Sequence, residues 1–323
     1  MRVRQSHDGL RLIDFLHQLH PPIPVPQWRR WIENGEITRH HRVIGPEQTR
    51  DAEQSVAAEQ IVDVGQTFYH RMPGTIEPTV ASRIAIVHED DSILVVDKPA
   101  PLPVHPSGRF NRNTLSELLR THYQEPNLRI AHRLDANTTG LVLFCRTRAA
   151  AGFVQPQFER RAVTKEYVAI VQGIIPWDHY RCESPIGRAA ELGDSRDTSG
   201  ARIVHPDGRP AQTHFEVIER IARRTGWSQE PMQPRTLVRA IPITGRTNQI
   251  RVHLWSLGFP ILGDPLYLQE RKLGKQQTLA IGQPPMCLHA RQLTITHPKT
   301  QESITFQQPA AFESQRSFND SLI

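Results

Sequence analysis

The chain has 323 residues, 38% hydrophobic and 22% charged, which suits one large or two ordinary globular domains with a sizeable core and gives no disorder signal. It has no apolar run long enough to cross a bilayer, and its start, MRVRQSHDGLRLIDFL, lacks the features of a signal peptide, so a cytoplasmic protein without a membrane partner is expected. A net charge of +6 favours a polyanionic partner, and three scattered cysteines (Cys145, Cys182, Cys287) with no CxxC pair argue against a disulfide framework or a zinc site.

In chain order, RLIDFLHQLH reads as a helix, PPIPVP as a break, and QWRRWIENG as a second helix that stops near Gly35. A strand-like EITRHHRVI, a polar acidic stretch GPEQTRDAEQSVAAEQ and the Pro/Gly-bearing MPGTIEPTV follow, which puts a domain boundary near residue 80. Residues 1–80 hold nine basic and ten acidic side chains, whereas residues 81–323 hold 30 and 23, so the basic excess lies in the larger part. Within the smaller part Arg29, Arg30, Arg39 and Arg42 cluster around the second helix and the strand after it, a candidate grip on a few phosphates.

Beyond residue 80, IAIVHED, SILVVDK, LVLFCRT, EYVAIVQG, HFEVIERI, TLVRAIPI, RQLTITH and SITFQQ are β-branched runs, several with strand-like alternation. Helical candidates are few: NTLSELLRTHY, the stretch after Arg148, and TNQIRVHLWSLG. That balance predicts an α+β domain on a largely antiparallel, mixed sheet rather than a βαβ repeat.

Phosphate-loop, HExxH, GxGxxG, GxSxG and zinc-deaminase patterns are all absent, which removes most nucleotide-hydrolysing, metalloprotease, dinucleotide, serine-hydrolase and deaminase readings. Four constellations remain. The densest is HRLDANTTGLVLF, where His132, Arg133 and Asp135 precede a tight turn and a strand; a carboxylate there is either a turn former or a nucleophile or base. In TNQIRVHLWSLG, Arg251 lies at the edge of the apolar helix face and either snorkels or reaches inward to pair a carboxylate and fix its orientation. In VTKEYVAIVQG, Tyr167 is either sheet filler or an aromatic face for a flat base. VDKPAPLPVHPSGRFNRNTL sets His105, Arg109 and Arg112 on a Pro-rich turn suited to a lid or a phosphate contact.

Taken together and in this order, the segments resemble the RluA-type pseudouridine synthases: HRLD..T.GL.LF is similar to the family's catalytic segment, KEY.A.V.G to its tyrosine strand, GRTNQIRVHL..LG.PI.GD..Y to its arginine segment, and VVDKP with VHP to its upstream turn. The resemblance covers essentially residues 81–310 and implies isomerisation of uridine to its C-glycoside in RNA, with no metal or cofactor and no obligatory protein partner, in a monomer. It implies Asp135 as the catalytic carboxylate, Tyr167 as the active-site tyrosine, Arg251 as the aspartate's partner, and Arg133 as the residue that fills the gap left by a flipped base. Thr139 stands where Ser is frequent in the family and Asn248 where His is frequent. Residues 1–80 resemble, weakly, the S-four-like RNA-binding domain often fused in front, with Arg29 and Arg30 as its RNA contacts; His132 and His105 join the RNA-binding set of the catalytic part. VHPSGRFNRNTL leans toward the tRNA anticodon stem-loop as substrate, with large-subunit ribosomal RNA as the other option. The rival reading is an inactive RNA-binding or ribosome-associated protein on the same fold, which has no need of the trio Asp135, Tyr167 and Arg251.

Overall fold

A computed structural model of the protein describes residues 1–44, 49–71, 76–192, 200–222 and 233–314, the side chains of 40–44, 49–53 and 314 excepted. The chain forms two compact units, Met1–Ile76 and Glu77–Ile323.

In the first unit, helices α1 (Leu12–Leu19) and α2 (Val25–Glu33) pack their apolar stripes on a three-stranded sheet ordered β2-β1-β3, with β1 Ile37–Ile44, β2 Thr49–Ser55 and β3 Phe68–His70. Leu12, Phe15, Leu16, Trp28, Ile37 and Phe68 form the centre of its core. Helix α2 starts at Val25 rather than at Gln27, because Pro24 caps it and Pro26 occupies the first turn, where no backbone N–H partner is required. The polar acidic stretch GPEQTRDAEQSVAAEQ contains β2, which pairs with β1 from Ser55 to Thr49. It lies at the sheet edge, where polar residues are tolerated and alternation gives no warning of a strand.

The second unit is built on a ten-stranded mixed sheet. Its main path runs β4 (Ala85–Glu89), β5 (Ile93–Lys98), β7 (Thr139–Cys145), β14 (Leu288–Thr296), β8 (Thr164–Gln172), β13 (Arg235–Pro242), β12 (Thr213–Ile221), β9 (His179–Cys182). Strand β6 (Arg129–Ile130) adds to β7, and β15 (Ser303–Gln307) to β14. Every pairing within this sheet is antiparallel except β7 with β14, which spans only two residue pairs, Thr139–His289 and Ala290–Gly140. The expected fold class, α+β on a largely antiparallel mixed sheet, is therefore the one observed. A separate two-stranded ribbon joins β10 (Ile186–Arg188) to β11 (Arg202–Val204).

Alternation decides which helix covers which face. Leu94, Val96, Val142 and Phe144 point toward α3 (Leu115–Tyr123), while Ile93, Val95, Leu141 and Leu143 point toward α4 (Arg148–Glu159). Further along, Ala169, Val171, Val238 and Ala240 are covered by Ile250 and Leu254 of α5 (Gln249–Ser256). Each buried Val, Leu, Ile or Phe side chain contributes about 1.5–3 kcal/mol by leaving water, so register within the sheet is strongly fixed. The short parallel joint between β7 and β14 sits at the beginning of β7, immediately after the HRLD segment.

Candidate active site

The turn carrying Asp135 is pinned from several sides. The Thr138 N–H closes it on the Asp135 carbonyl at 3.1 Å, and the Ala136 carbonyl accepts the Leu102 N–H at 2.9 Å. Thr139 Oγ1 lies 2.8 Å from Nδ1 of His289, whose Nε2 is 2.9 Å from the Gln308 carbonyl. That carbonyl requires Nε2 to carry the proton, so Nδ1 accepts from the Thr139 hydroxyl. Gly140, at φ +107°, explains the glycine of the motif: a Cβ there would stand 2.3 Å from the Ala290 carbonyl oxygen, so only glycine permits the parallel joint.

Arg251 does not snorkel. Its side chain is 4% exposed and its fork grips Asp264, Nε to Oδ2 at 2.7 Å and Nη2 to Oδ1 at 2.9 Å. The remaining nitrogen, Nη1, donates to Asp135 Oδ2 and to Asn248 Oδ1, both at 3.0 Å. Burial opposes the guanidinium charge, but Asp264, by charge and hydrogen bond, and Asp135 outweigh it and hold the group firmly protonated. Asn248 meets this geometry from the left-handed position at the start of α5, φ 57°, and its amide nitrogen donates to the Tyr267 hydroxyl at 3.2 Å. The Tyr267 ring lies under the guanidinium, 5.0 Å from centroid to Cζ; burial pushes its phenol up to about 12, against the charge of Arg251. Asp264 itself is fully buried and also accepts the N–H groups of Leu266 and Tyr267, at 2.9 and 3.0 Å.

Tyr167 and Lys98 complete the surroundings of Asp135. Burial, and then the Asp135 charge, raise the Tyr167 phenol well above its ordinary value, so it stays protonated, with its ring packed on the core beneath α5. Lys98 is fully buried, and its ammonium donates to the carbonyls of Pro99 (2.9 Å), Leu102 (2.9 Å) and Ala136 (3.1 Å). Burial lowers Lys98 to about 7, with Asp135 and then Asp97 opposing the shift. It fastens the VVDKP turn to the Asp135 turn.

Asp135 is the open member of this assembly, its side chain 28% exposed. Arg133, two residues earlier, is exposed and lies 2.9 Å through Nη1 from His105 Nε2. Burial and the Arg133 charge both lower the His105 pKa, which suits a neutral ring accepting from the guanidinium. The loop bearing His105 is fixed further along, where the N–H groups of Asn111, Arg112 and Asn113 converge on the Glu77 carboxylate.

Two members of the expected RNA-binding set are engaged elsewhere. His132 stacks on Phe158 of α4, 4.8 Å between centroids and 18° between planes, and its Nε2 accepts the Leu143 N–H at 3.2 Å. Burial, followed by the Lys165 charge, pushes it down to about 3; it is a neutral ring turned toward α4 and packed there, not the RNA contact expected. Arg29 is exposed but paired with Glu59 at 2.8 Å, in a chain that continues to Arg11 and Asp14. Arg30 is exposed, and the Arg42 side chain lies outside the described residues. Sequence reasoning brought together Asp135, Tyr167 and Arg251 but gave no role to Asp264, Lys98 or Tyr267. The signals present were the Gly-Asp pair after α5 and the lysine of VVDKP. Gly263 carries its own reason: at φ +77°, a Cβ would come within 2.4 Å of the Pro285 carbonyl oxygen, so glycine lets the chain pass and turns Asp264 inward. No group of three or more metal-ligating side chains, and no helix long and apolar enough to cross a membrane, occurs among the described residues.

Residues 92–256, which hold the Asp135 turn, β8 and α5, match the family model of the RNA pseudouridylate synthases. Ribosomal large subunit pseudouridine synthase D of Nitrosomonas europaea is 32% identical over 317 residues, covering 93% of this chain and 81% of that protein. The chain belongs to the RluA-type family of RNA pseudouridine synthases. The Escherichia coli dual-specificity RNA pseudouridine synthase RluA is 35% identical over 71% of this chain and 94% of its own. Among solved structures, human RNA pseudouridylate synthase domain containing 1 superposes with a TM-score of 0.57 at 28% identity, covering 73% of this chain and 87% of that one. As a pseudouridine synthase, the protein catalyses an intramolecular transfer in which the freed uracil must be retained.

Proposed function

We propose that Asp135 is the carboxylate that acts on the target uridine as nucleophile or general base, with Arg251 as its fixed partner and Tyr167 as the face against which the uracil packs. The observation that carries this reading is the single bond from Arg251 Nη1 to Asp135 Oδ2: one carboxylate oxygen is held by a guanidinium locked from behind, while the side chain keeps a solvent-facing side. Breaking the C1′–N1 bond frees a uracil that must turn and rejoin through its 5-carbon, which requires a reactive group beside the sugar and a pocket that retains the base. Arg133, at the exposed entrance, fills the place of the flipped nucleotide; unstacking it costs a few kcal/mol that the inserted guanidinium offsets in part. An RNA-binding protein without activity has no use for the Asp135–Arg251–Asp264 arrangement, which speaks for the enzyme.

For the substrate we favour large-subunit ribosomal RNA, because the match to a synthase named for that subunit runs through both units of the chain, whereas the match to dual-specificity RluA covers 71% of it. The loop VHPSGRFNRNTL keeps the tRNA anticodon stem-loop as the second reading. Deleting the gene in its host and mapping pseudouridine chemically across total tRNA and rRNA decides between them. A lost site in 23S-type RNA supports the first reading, a lost anticodon-stem site the second, and no lost site in either RNA overturns both.

A further inference from the structure

Asn137 follows the reactive carboxylate by two residues, yet its side chain serves a distant part of the chain. It is 1% exposed; its amide nitrogen donates to the Gln277 carbonyl at 2.8 Å, and its amide oxygen accepts the Leu279 N–H at 3.0 Å. Both ends of a buried amide are thus spent on the backbone of one surface segment, residues 268–285. That segment leaves the molecule directly after Tyr267 and returns at β14, and its root is tied down where the Trp255 indole donates to the Leu268 carbonyl at 2.9 Å. It therefore starts beside the residues that lock Arg251 and is stapled midway to the turn that carries Asp135. Outwardly it shows Arg271, Lys272 and Lys275 against the single carboxylate Glu270, with Leu268 and Ile281 exposed among them. Exposed cations on one surface segment next to a reactive group suit the phosphate backbone of a nucleic acid lying across the surface.

We propose that residues 268–285 form a wall of the active site that engages the RNA flanking the target uridine, and that Asn137 is the positioning residue that holds this wall in register with Asp135. The proposal rests on the reading of Asp135 as the reacting group. Without the amide, the Gln277 carbonyl and Leu279 N–H lose their shared partner and the segment separates from the turn, although the Arg251 contacts of Asp135 do not pass through it.

The test combines direct RNA-binding titrations with kinetics of tritium release from RNA labelled at the uridine 5-carbon. Arg271→Ala/Lys275→Ala, confined to the surface, should raise KM and Kd for structured RNA about tenfold, with kcat within twofold and a shallower salt dependence. Asn137→Ala should raise KM by a similar factor and lower kcat less than KM rises. The triple variant should be no worse than the weaker of the two, because a detached segment no longer presents its cations. Should Asn137→Ala fail to fold, Asn137→Asp, which keeps the acceptor for Leu279 and loses the donor to Gln277, carries the same expectation. An unchanged Kd in the surface variant, a loss confined to kcat at position 137, or multiplicative losses in the triple variant would each overturn the proposal. Because Kd is read without turnover, failure here stays distinct from failure of the assignment to Asp135.

Discussion

Arg251 joins two regions that treat a carboxylate in opposite ways. In the stretch Gly263–Tyr267, Asp264 takes two guanidinium bonds and two backbone N–H bonds and has no exposed side chain. In the turn 131–140, Asp135 takes one guanidinium bond and remains open to solvent. A buried ion pair adds little net stability over an apolar substitute, but breaking it is expensive, so the Asp264 end works as a lock. What it secures is the direction of Nη1, and through Nη1 the placement of Asp135. The same guanidinium is scaffold on one side and chemistry on the other.

Removing the shared member should do most damage. Arg251→Met strands a fully buried Asp264 and releases Asp135, so stability is expected to fall by about 3–5 kcal/mol and turnover by about 10²- to 10⁴-fold. Denaturant titration and tritium release measure the two losses; turnover that stays near wild type would show that Arg251 has no part in the chemistry. Asp264→Asn should separate them, with a stability loss of about 3 kcal/mol and activity surviving better than in Arg251→Met, since the amide oxygen still accepts one bond.

A pH series sharpens the contrast from the Lys98 side. Burial holds the folded pKa near 7, below the value of about 10.4 for an unfolded lysine, so between these limits the unfolded chain binds more protons. The contribution of Lys98 to stability therefore rises from pH 7 towards pH 10, and the slope should be smaller in Lys98→Met; an unchanged slope would mean that the folded lysine is not depressed. Lys165, also lowered by burial, contributes in the same direction and leaves a residual slope.

The smallest effect is expected from the first unit. Its charges are nearly balanced and Arg29 is tied to Glu59, so deletion of 1–76 should leave an active second unit with modestly weaker RNA affinity and a slightly shallower salt dependence. Cutting after residue 80 instead removes Glu77, which holds three N–H groups of the His105 loop, and the buried Val80. That longer truncation should lower activity further. Equal behaviour of the two truncations would show that Glu77 does not support the loop.

The sheet was legible because runs such as SILVVDK and LVLFCRT bury both faces and admit no other regular structure in so few residues. Strand β2 was not, since a polar edge strand is defined by its partner rather than by its own pattern. In the site, the types and order of Asp135, Tyr167 and Arg251 carried the reading. The lock was hidden because Asp264 lies thirteen positions after Arg251, beyond the end of α5, on a chain course that depends on the Gly263 close approach to Pro285, a contact that no periodicity encodes. His132 was misdirected for a related reason: next to a reactive turn, sequence does not say which face of the sheet a side chain takes, and α4 supplied the stacking partner.

Asp135→Asn measured at single turnover, with enzyme in excess over labelled RNA and binding read in the same samples, tests the central claim most directly. An isosteric amide keeps the turn and still accepts from Arg251 but cannot serve as nucleophile or base. The expected result is wild-type-like RNA affinity and melting temperature with tritium release reduced by about 10²- to 10⁴-fold or more. Release within tenfold of wild type would contradict the assignment of the chemistry to Asp135.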